Sequence, residues 1–315
     1  MNGDRQRTVG REERSAAPHT GGVSMAGKAD IEALYRAVRE AAALVDTDCS
    51  QASMQPVLTA FQDLIVSPVV FNTVAGGGLS LDFTTPTDAG DPYERALAHG
   101  LAQDSGHPIR HLFTQLHEHL PVHSFGVDHK VGAGFNKTYA FFPMGRPQDV
   151  ARLTALAAMP PALAEQAATL TAHGLDGKIS ALAIDYTRRT WNVYFNGLGG
   201  EHVERGALLR AFGLPEPSEQ LLDFAEMSSA LYPTFGWDST KIERVSFSLR
   251  TTDPAALPAH VEPRLEKLAR NAPYTYPGQR VLVYAGVLAP GREYYKLAAY
   301  HQMDLATHDR VRPRS

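Results

Sequence analysis

Lys137, Arg188, Arg244 and Lys296 come from four separate stretches of the chain, each a strand or hairpin in which apolar and polar residues alternate. Alternation with a period of two turns such side chains to one face of a sheet. If they converge with the amide of Asn192 and the phenols of Tyr139 and Tyr194, the group suits a polyanion such as a diphosphate. Arg and Lys hold phosphate oxygens by charge-assisted hydrogen bonds. Tyr139, Tyr194, Tyr232 and Tyr300 add aromatic faces that stabilise a carbocation. A binder of diphosphate that also shelters a cation is the chemistry these residue types describe.

The elements that must position them follow from the patterning. After Asp30, a good N-cap, Ile31, Leu34, Tyr35, Val38 and Ala42 recur at helical spacing. Further helices are expected over residues 56–64, 108–119, 161–172, 202–212, 219–227 and 263–270. Strands are expected in pairs: 69–73 with 79–84, 122–127 with 134–142, 178–186 with 191–195, 231–234 with 242–249, and 281–287 with 294–302. That is about five rounds of two helices and two strands, and hairpin-linked strands pair antiparallel. The helices need an apolar surface, which Leu79, Leu81, Phe83, Trp191, Val193, Phe195, Val245, Phe247, Leu249 and Leu297 supply. The opposite faces carry Ser80, Asp82, Asn192, Tyr194, Arg244, Ser246, Ser248, Lys296, Ala298 and Tyr300. If the sheet closes, they line a lumen, and about ten strands make it wide enough for a ligand. A solvated sheet face with scattered ion pairs is the alternative that the pattern alone leaves open.

Composition narrows the classes. In 315 residues, 43% are hydrophobic and 20% charged, which supports a sizeable core. A net charge of −4 gives no basic field for nucleic acid. No apolar run approaches the roughly 18 residues of a membrane helix. Cys49, the single cysteine, excludes an internal disulfide and any Cys-rich metal site. Residues 1–27 read as a disordered extension without a signal-peptide core, 28–305 as one domain and 306–315 as a tail. A cytoplasmic monomer is the expectation. His107, His111, His117, His119 and His123 cluster in sequence without fixing a third ligand at metal spacing.

Several segments, taken together, carry a family likeness: residues 134–143 (GFNKTYAFFP), 81–83 (LDF), Asp185-Tyr186 with 192–195 (NVYF), 232–237 (YPTFGW), 241–244 (KIER) and 294–300 (YYKLAAY). From about Ala29 to Met303 the chain resembles the soluble aromatic prenyltransferases of the ABBA, or prenyltransferase-barrel, type. The resemblance implies an α+β fold, a ten-stranded antiparallel barrel ringed by helices, with a ligand-filled lumen. It implies transfer of a dimethylallyl or geranyl group from an allylic diphosphate to an electron-rich aromatic acceptor. Lys137, Arg244 and Lys296 fall on diphosphate positions, with Asn192 and Tyr232 near them, and Arg188 stands where close relatives carry Lys. Tyr139 and Tyr194 fall on positions that shield the prenyl cation, and Asp82 where magnesium-dependent members place a carboxylate beside Mg²⁺. The small residues Ser180, Ser229, Ala230, Ser246, Ser248 and Ala298, with Tyr300, are expected to form a pocket for a bicyclic or tricyclic acceptor. A non-catalytic carrier of an apolar metabolite is the alternative, and four converging cations argue against it. A diphosphate hydrolase would need an activated water that no cluster here supplies.

Overall fold

The computed structural model describes residues 30–198, 203–256 and 262–304, so the expected extension and tail lie outside the described residues. Ten strands, all paired antiparallel, close into a barrel in the order β1-β10-β9-β8-β7-β6-β5-β4-β3-β2. They are β1 (Val66–Val74), β2 (Leu79–Thr85), β3 (Ser124–Lys130), β4 (Gly134–Phe141), β5 (Ile179–Asp185), β6 (Thr190–Asn196), β7 (Ala230–Gly236), β8 (Ile242–Thr251), β9 (Leu282–Ala289) and β10 (Arg292–Gln302). Nine α-helices lie among the described residues: α1 (Ile31–Leu44), α2 (Gln51–Phe61), α3 (Pro92–Ala98), α4 (Leu112–His119), α5 (Val150–Thr154), α6 (Ala162–Ala172), α7 (Arg205–Ala211), α8 (Glu219–Met227) and α9 (Pro263–Asn271). The short helices α3 and α5 escape the periodicity because five to seven residues complete fewer than two turns.

Chain order separates the two ends of the barrel. The turns β1–β2, β3–β4, β5–β6, β7–β8 and β9–β10 are tight hairpins and gather at one end, whereas the helices connect the strands at the other. The strand faces divide as the alternation requires. Leu81, Phe83, Trp191, Val193, Phe195, Phe235, Val245, Phe247, Leu297 and Ala299 are at most 3% exposed and meet the helices. Trp191 stacks on Phe235 with ring centroids 4.8 Å apart. Local signals set the helix starts: Ala33 N donates to Asp30 Oδ1 (2.9 Å) at α1, and Leu221 N donates to Ser218 Oγ (3.2 Å) at α8. Gly286 on β9 lets α8 settle against the wall, since a Cβ there would lie 2.6 Å from Leu221 Cδ1 and 2.9 Å from Phe224 Cδ1.

β3 runs to Lys130, three residues beyond its expected end, and the extension carries His129 to the helix-facing side. His129 is 2% exposed, and neither ring nitrogen has a well-formed hydrogen bond. Burial pushes its pKa down to about 4, and the nearby Ser53 backbone offsets only part of that. The native state therefore keeps His129 neutral at pH values where the unfolded chain takes a proton. Its contribution is fully present above pH 6.5 and is lost as pH falls from there towards 4. Against a His129→Leu variant, the wild type should lose about 2 kcal/mol of relative stability between pH 7.5 and pH 5, read by chemical denaturation at each pH. Parallel pH profiles would show that the imidazole does not titrate with unfolding.

Candidate active site

The lumen is built by parity. Cross-strand pairing puts Asp82 opposite Asp128, Asp128 opposite Lys137, and Lys137 opposite Asp185, all on the inner face of β2 to β5. On the far side Thr234 pairs with Arg244, Tyr232 with Ser246 and Ala230 with Ser248, while Lys296, Ala298 and Tyr300 line β10. Two β-bulges adjoin the cations. Asn136 is the extra residue of β4 just before Lys137, and Glu243 that of β8 just before Arg244. A bulge bends its strand and redirects the next side chain, which suits a site where several strands must aim at one point.

Four cations meet at the hairpin end. Lys296 has its pKa lowered to about 7, first by withdrawal from water and then by Lys137, Arg244 and Arg188, with Asp185 opposing. A lysine beside three like charges favours an anion as its partner. Arg188, on the β5–β6 turn, is half exposed; its backbone N donates to Asp185 Oδ1 (2.7 Å) and its guanidinium lies 3.8 Å from Asp185 Oδ2. Asn192 Nδ2 donates to Thr234 Oγ1 at 2.5 Å, leaving the buried Asn192 Oδ1 without a partner. Lys130, which sequence reading missed, joins on the inner face at the end of β3, with Arg188 and Lys137 lowering its pKa after burial.

Buried carboxylates stand among the cations. Asp82 and Asp128 both have raised pKa values, chiefly from burial; Asp128 raises Asp82 further, and Lys137 opposes the shift in both. Asn136 Nδ2 donates to Asp128 Oδ1 (3.1 Å) and Tyr139 Oη to Asp82 Oδ2 (3.3 Å). Asp82 Oδ1 is buried without a well-formed hydrogen bond, although the Asn72 side chain lies close enough to oppose the shift, and a hard cation would satisfy it. No three His, Cys, Asp or Glu side chains converge on a metal-sized point among the described residues. Were a diphosphate held by these cations, the carboxylate oxygens beside it would fit Mg²⁺, which takes one or two protein ligands and completes its shell from phosphate and water. Of the histidines close together in sequence, His107 pairs with Asp238 (3.0 Å) and stacks on Trp237.

An aromatic wall continues from the cations. Tyr139 stacks on Phe141 (5.7 Å between centroids) and meets Tyr194 edge-on (6.2 Å); Tyr194 lies 4.3 Å from Tyr232. These rings reach one another across β5 because its inward residues there are Ala181 and Ala183. Gly126 makes room opposite, since a Cβ would lie 3.0 Å from the Phe141 ring and 3.1 Å from that of Tyr139. Burial raises the pKa values of Tyr139, Tyr194 and Tyr232, so all three stay neutral phenols. Tyr232 leans on Ser248, its Oη and Ser248 Oγ being 2.5 Å apart, and besides Tyr194 it feels Tyr300 and Arg250. It thereby continues the aromatic wall from Tyr194.

The small residues separate into two groups. Ala230, Ser246, Ser248 and Ala298 are on the inner face, while Ser229 is exposed, precedes β7 and has the opposite parity, so it is not a wall residue. Ser180 is the extra residue of a bulge in β5, and its Oγ donates to the Tyr194 carbonyl (3.0 Å). At the helix end Tyr276, Val281 and Met303 pack under Tyr300.

A ten-stranded antiparallel barrel with cations at one end of its lumen and tyrosines along the wall defines the prenyltransferase-barrel class. The described part holds no helix long and apolar enough to cross a membrane. Residues 29–309 match the family model for aromatic prenyltransferase Orf2, and the chain belongs to that family. Its relatives include the flaviolin linalyltransferase of Streptomyces virginiae, 39% identical over 88% of this chain and 94% of that one. The 5,10-dihydrophenazine-1-carboxylate 9-dimethylallyltransferase of Streptomyces anulatus is 37% identical over 88% and 95%. The furaquinocin biosynthesis prenyltransferase of Streptomyces sp. (strain KO-3988) is 37% identical over 87% and 91%. The fold is shared with 5-dimethylallyltryptophan synthase from Streptomyces coelicolor, at a TM-score of 0.58, 11% identity and coverage of 85% and 95%. The protein is an aromatic prenyltransferase of secondary metabolism.

Donor binding should carry a proton signature. Lys296 is partly neutral near pH 7, and a diphosphate favours its charged form. Above pH 7, binding must take up a proton, so Kd for inorganic diphosphate should rise up to tenfold per pH unit. Titration calorimetry in buffers of different ionisation enthalpy reads this uptake directly, and Lys296→Arg should flatten the profile. A flat wild-type Kd between about pH 7 and 9 would exclude it.

Proposed function

We infer that the enzyme moves a five- or ten-carbon allylic group from its diphosphate to a fused-ring, electron-rich aromatic acceptor. The observation that carries this reading is the meeting of Lys137, Arg188, Arg244 and Lys296 at the head of a continuous tyrosine wall. Ionisation breaks the C–O bond and leaves its electron pair on diphosphate, where the cations stabilise the developing charge. The allylic cation left behind lies against Tyr139 and Tyr194, whose π-faces favour it over water. An aromatic carbon of the acceptor then supplies the electron pair for the new C–C bond. Loss of the ring proton to water or to diphosphate oxygen restores aromaticity. Bicyclic or tricyclic acceptors are favoured because Ala230, Ser246, Ser248 and Ala298 leave volume opposite the tyrosines. Flaviolin and dihydrophenazine carboxylate, the acceptors named for two relatives, are of this size class.

Asp82, with Asp128 beside it, would hold Mg²⁺. The ion would add positive charge to the leaving diphosphate. Asp128 and Asp185 flank Lys137 on the neighbouring strands and place negative charge on either side of it.

Incubating dimethylallyl and geranyl diphosphate with naphthalenediols, quinones, phenazines and single-ring phenols, followed by mass spectrometry, tests the reading. Fused-ring products are expected; a wild type active on single-ring phenols alone would overturn the acceptor class. Lys137→Ala, Arg244→Ala and Lys296→Ala should each cost about 1.5–3 kcal/mol of donor binding, roughly ten- to a hundredfold, and spare acceptor binding. Unchanged donor affinity in all three would remove the diphosphate assignment. Excess chelator should lower turnover of the wild type, with Mg²⁺ restoring it, while Asp82→Asn should be slow and indifferent to both. Chelator-resistant wild-type turnover would make Asp82 an anchor for Tyr139 instead.

A further inference from the structure

A sixth cation, on the inner face of β8, belongs to no part of this mechanism. Arg250 has the parity of Arg244, Ser246 and Ser248, and it stands one residue from the helix end of its strand. It stands six positions beyond Arg244, about 20 Å along the strand. It is exposed, and no carboxylate lies within ion-pair distance of it among the described residues. Its partners across the barrel wall are small: Val283 beside it on β9, then Ala298 on β10. Its charge acts on the phenol of Tyr232, which also faces Tyr300. The lumen thus has two positive poles, with the tyrosine wall between them and small side chains beside the second.

We propose that Arg250 recognises an anionic substituent of the acceptor, a carboxylate or acidic phenolate on its fused rings. The proposal rests on the aromatic-acceptor reading above and adds a charge requirement to it. The spacing accommodates the molecule in order: diphosphate at the hairpin end, allylic carbons along Tyr139 and Tyr194, rings beside Tyr232, and the anion at Arg250. Charges of one sign at both ends of the acceptor site would also orient it, since only one edge of an acidic ring system carries the negative group. A neutral acceptor lacks that cue and can enter either way round. Arg suits this task because its planar fork engages both oxygens of a carboxylate while its stem reaches from the wall towards water. A merely solvated arginine at a strand end would make no distinction between acidic and neutral acceptors.

The test pairs a naphthalenediol with its ring-carboxylated analogue, matched in hydroxyl positions, against wild type, Arg250→Gln and Arg250→Lys. Acceptor KM and kcat are measured at saturating donor, alongside direct binding of both acceptors by quenching of tyrosine and tryptophan fluorescence. The wild type should bind the acid roughly tenfold tighter than the neutral diol. Arg250→Gln should remove that preference by raising KM for the acid alone, leaving kcat, the diol and the donor KM unchanged, and Arg250→Lys should keep part of it. Regiochemical mixtures from the diol and a single product from the acid would agree with the orienting role. Equal affinity of the wild type for both acceptors, or an equal loss of both in Arg250→Gln, would overturn the proposal and leave prenyl transfer intact. If neither acceptor is prenylated, the acceptor class is wrong, and the fluorescence titrations still decide whether Arg250 selects the acid.

Discussion

Closure of the backbone hydrogen-bond ring is the constraint on which everything else here depends. With ten strands paired edge to edge, no strand can rotate about its axis without breaking two ladders at once. Every residue is therefore committed to the inside or the outside by its position in the chain. That commitment lets the lumen hold groups that would be intolerable in an apolar core. Five cations and three carboxylates sit within a wall whose outer surface is among the driest in the protein. The outer residues supply the folding energy through contact with the helices, so the inner residues are released from packing and can serve chemistry.

The inner groups are arranged in mutual conflict. Lysines and arginines repel one another, and two neighbouring carboxylates are so hard to ionise that burial and their own proximity raise their pKa values. Such a group costs stability in the empty protein and is relieved by the arriving anion, so affinity and folding are coupled at this end of the barrel. The carboxylates prevent the repulsion from splaying the strands. Asp185 illustrates this: fully buried, it accepts from the Arg188 backbone and ties the β5–β6 turn to the cation group.

Much of this was legible in the sequence because parity is a local property. Asn192, Tyr194, Arg244, Ser246, Ser248, Lys296, Ala298 and Tyr300 stand on the inner face that alternation assigns them. What escaped lies at strand ends. Ending β3 at residue 127 hid Asp128 and Lys130, and ending β8 at 249 hid Arg250, although the alternation runs on through each. Bulges are a second source of error. Asn136 and Glu243 interrupt the period without any Gly or Pro to mark them, because a bulge is fixed by the partner strand. Ser229 was misplaced by proximity to Ala230: in a strand, adjacent residues are on opposite sides of the wall. The position of Tyr232 within the lumen depends on strand tilt, which sequence does not state.

The segregation of tight turns from helical connections divides the molecule into a part that can drift and a part that cannot. The hairpins beside the cations are a few residues long, and lengthening one would slide the register of two strands and turn charges out of the lumen. The helical connections bordering the far end bear no such penalty, since their length is not read by any ladder. Sequence change in this barrel is therefore channelled: the end that gathers the cations is held in place by geometry, and the end bordered by helical connections is free to be remodelled, so on the proposed reading a lineage can acquire new aromatic partners while its allylic chemistry stands still.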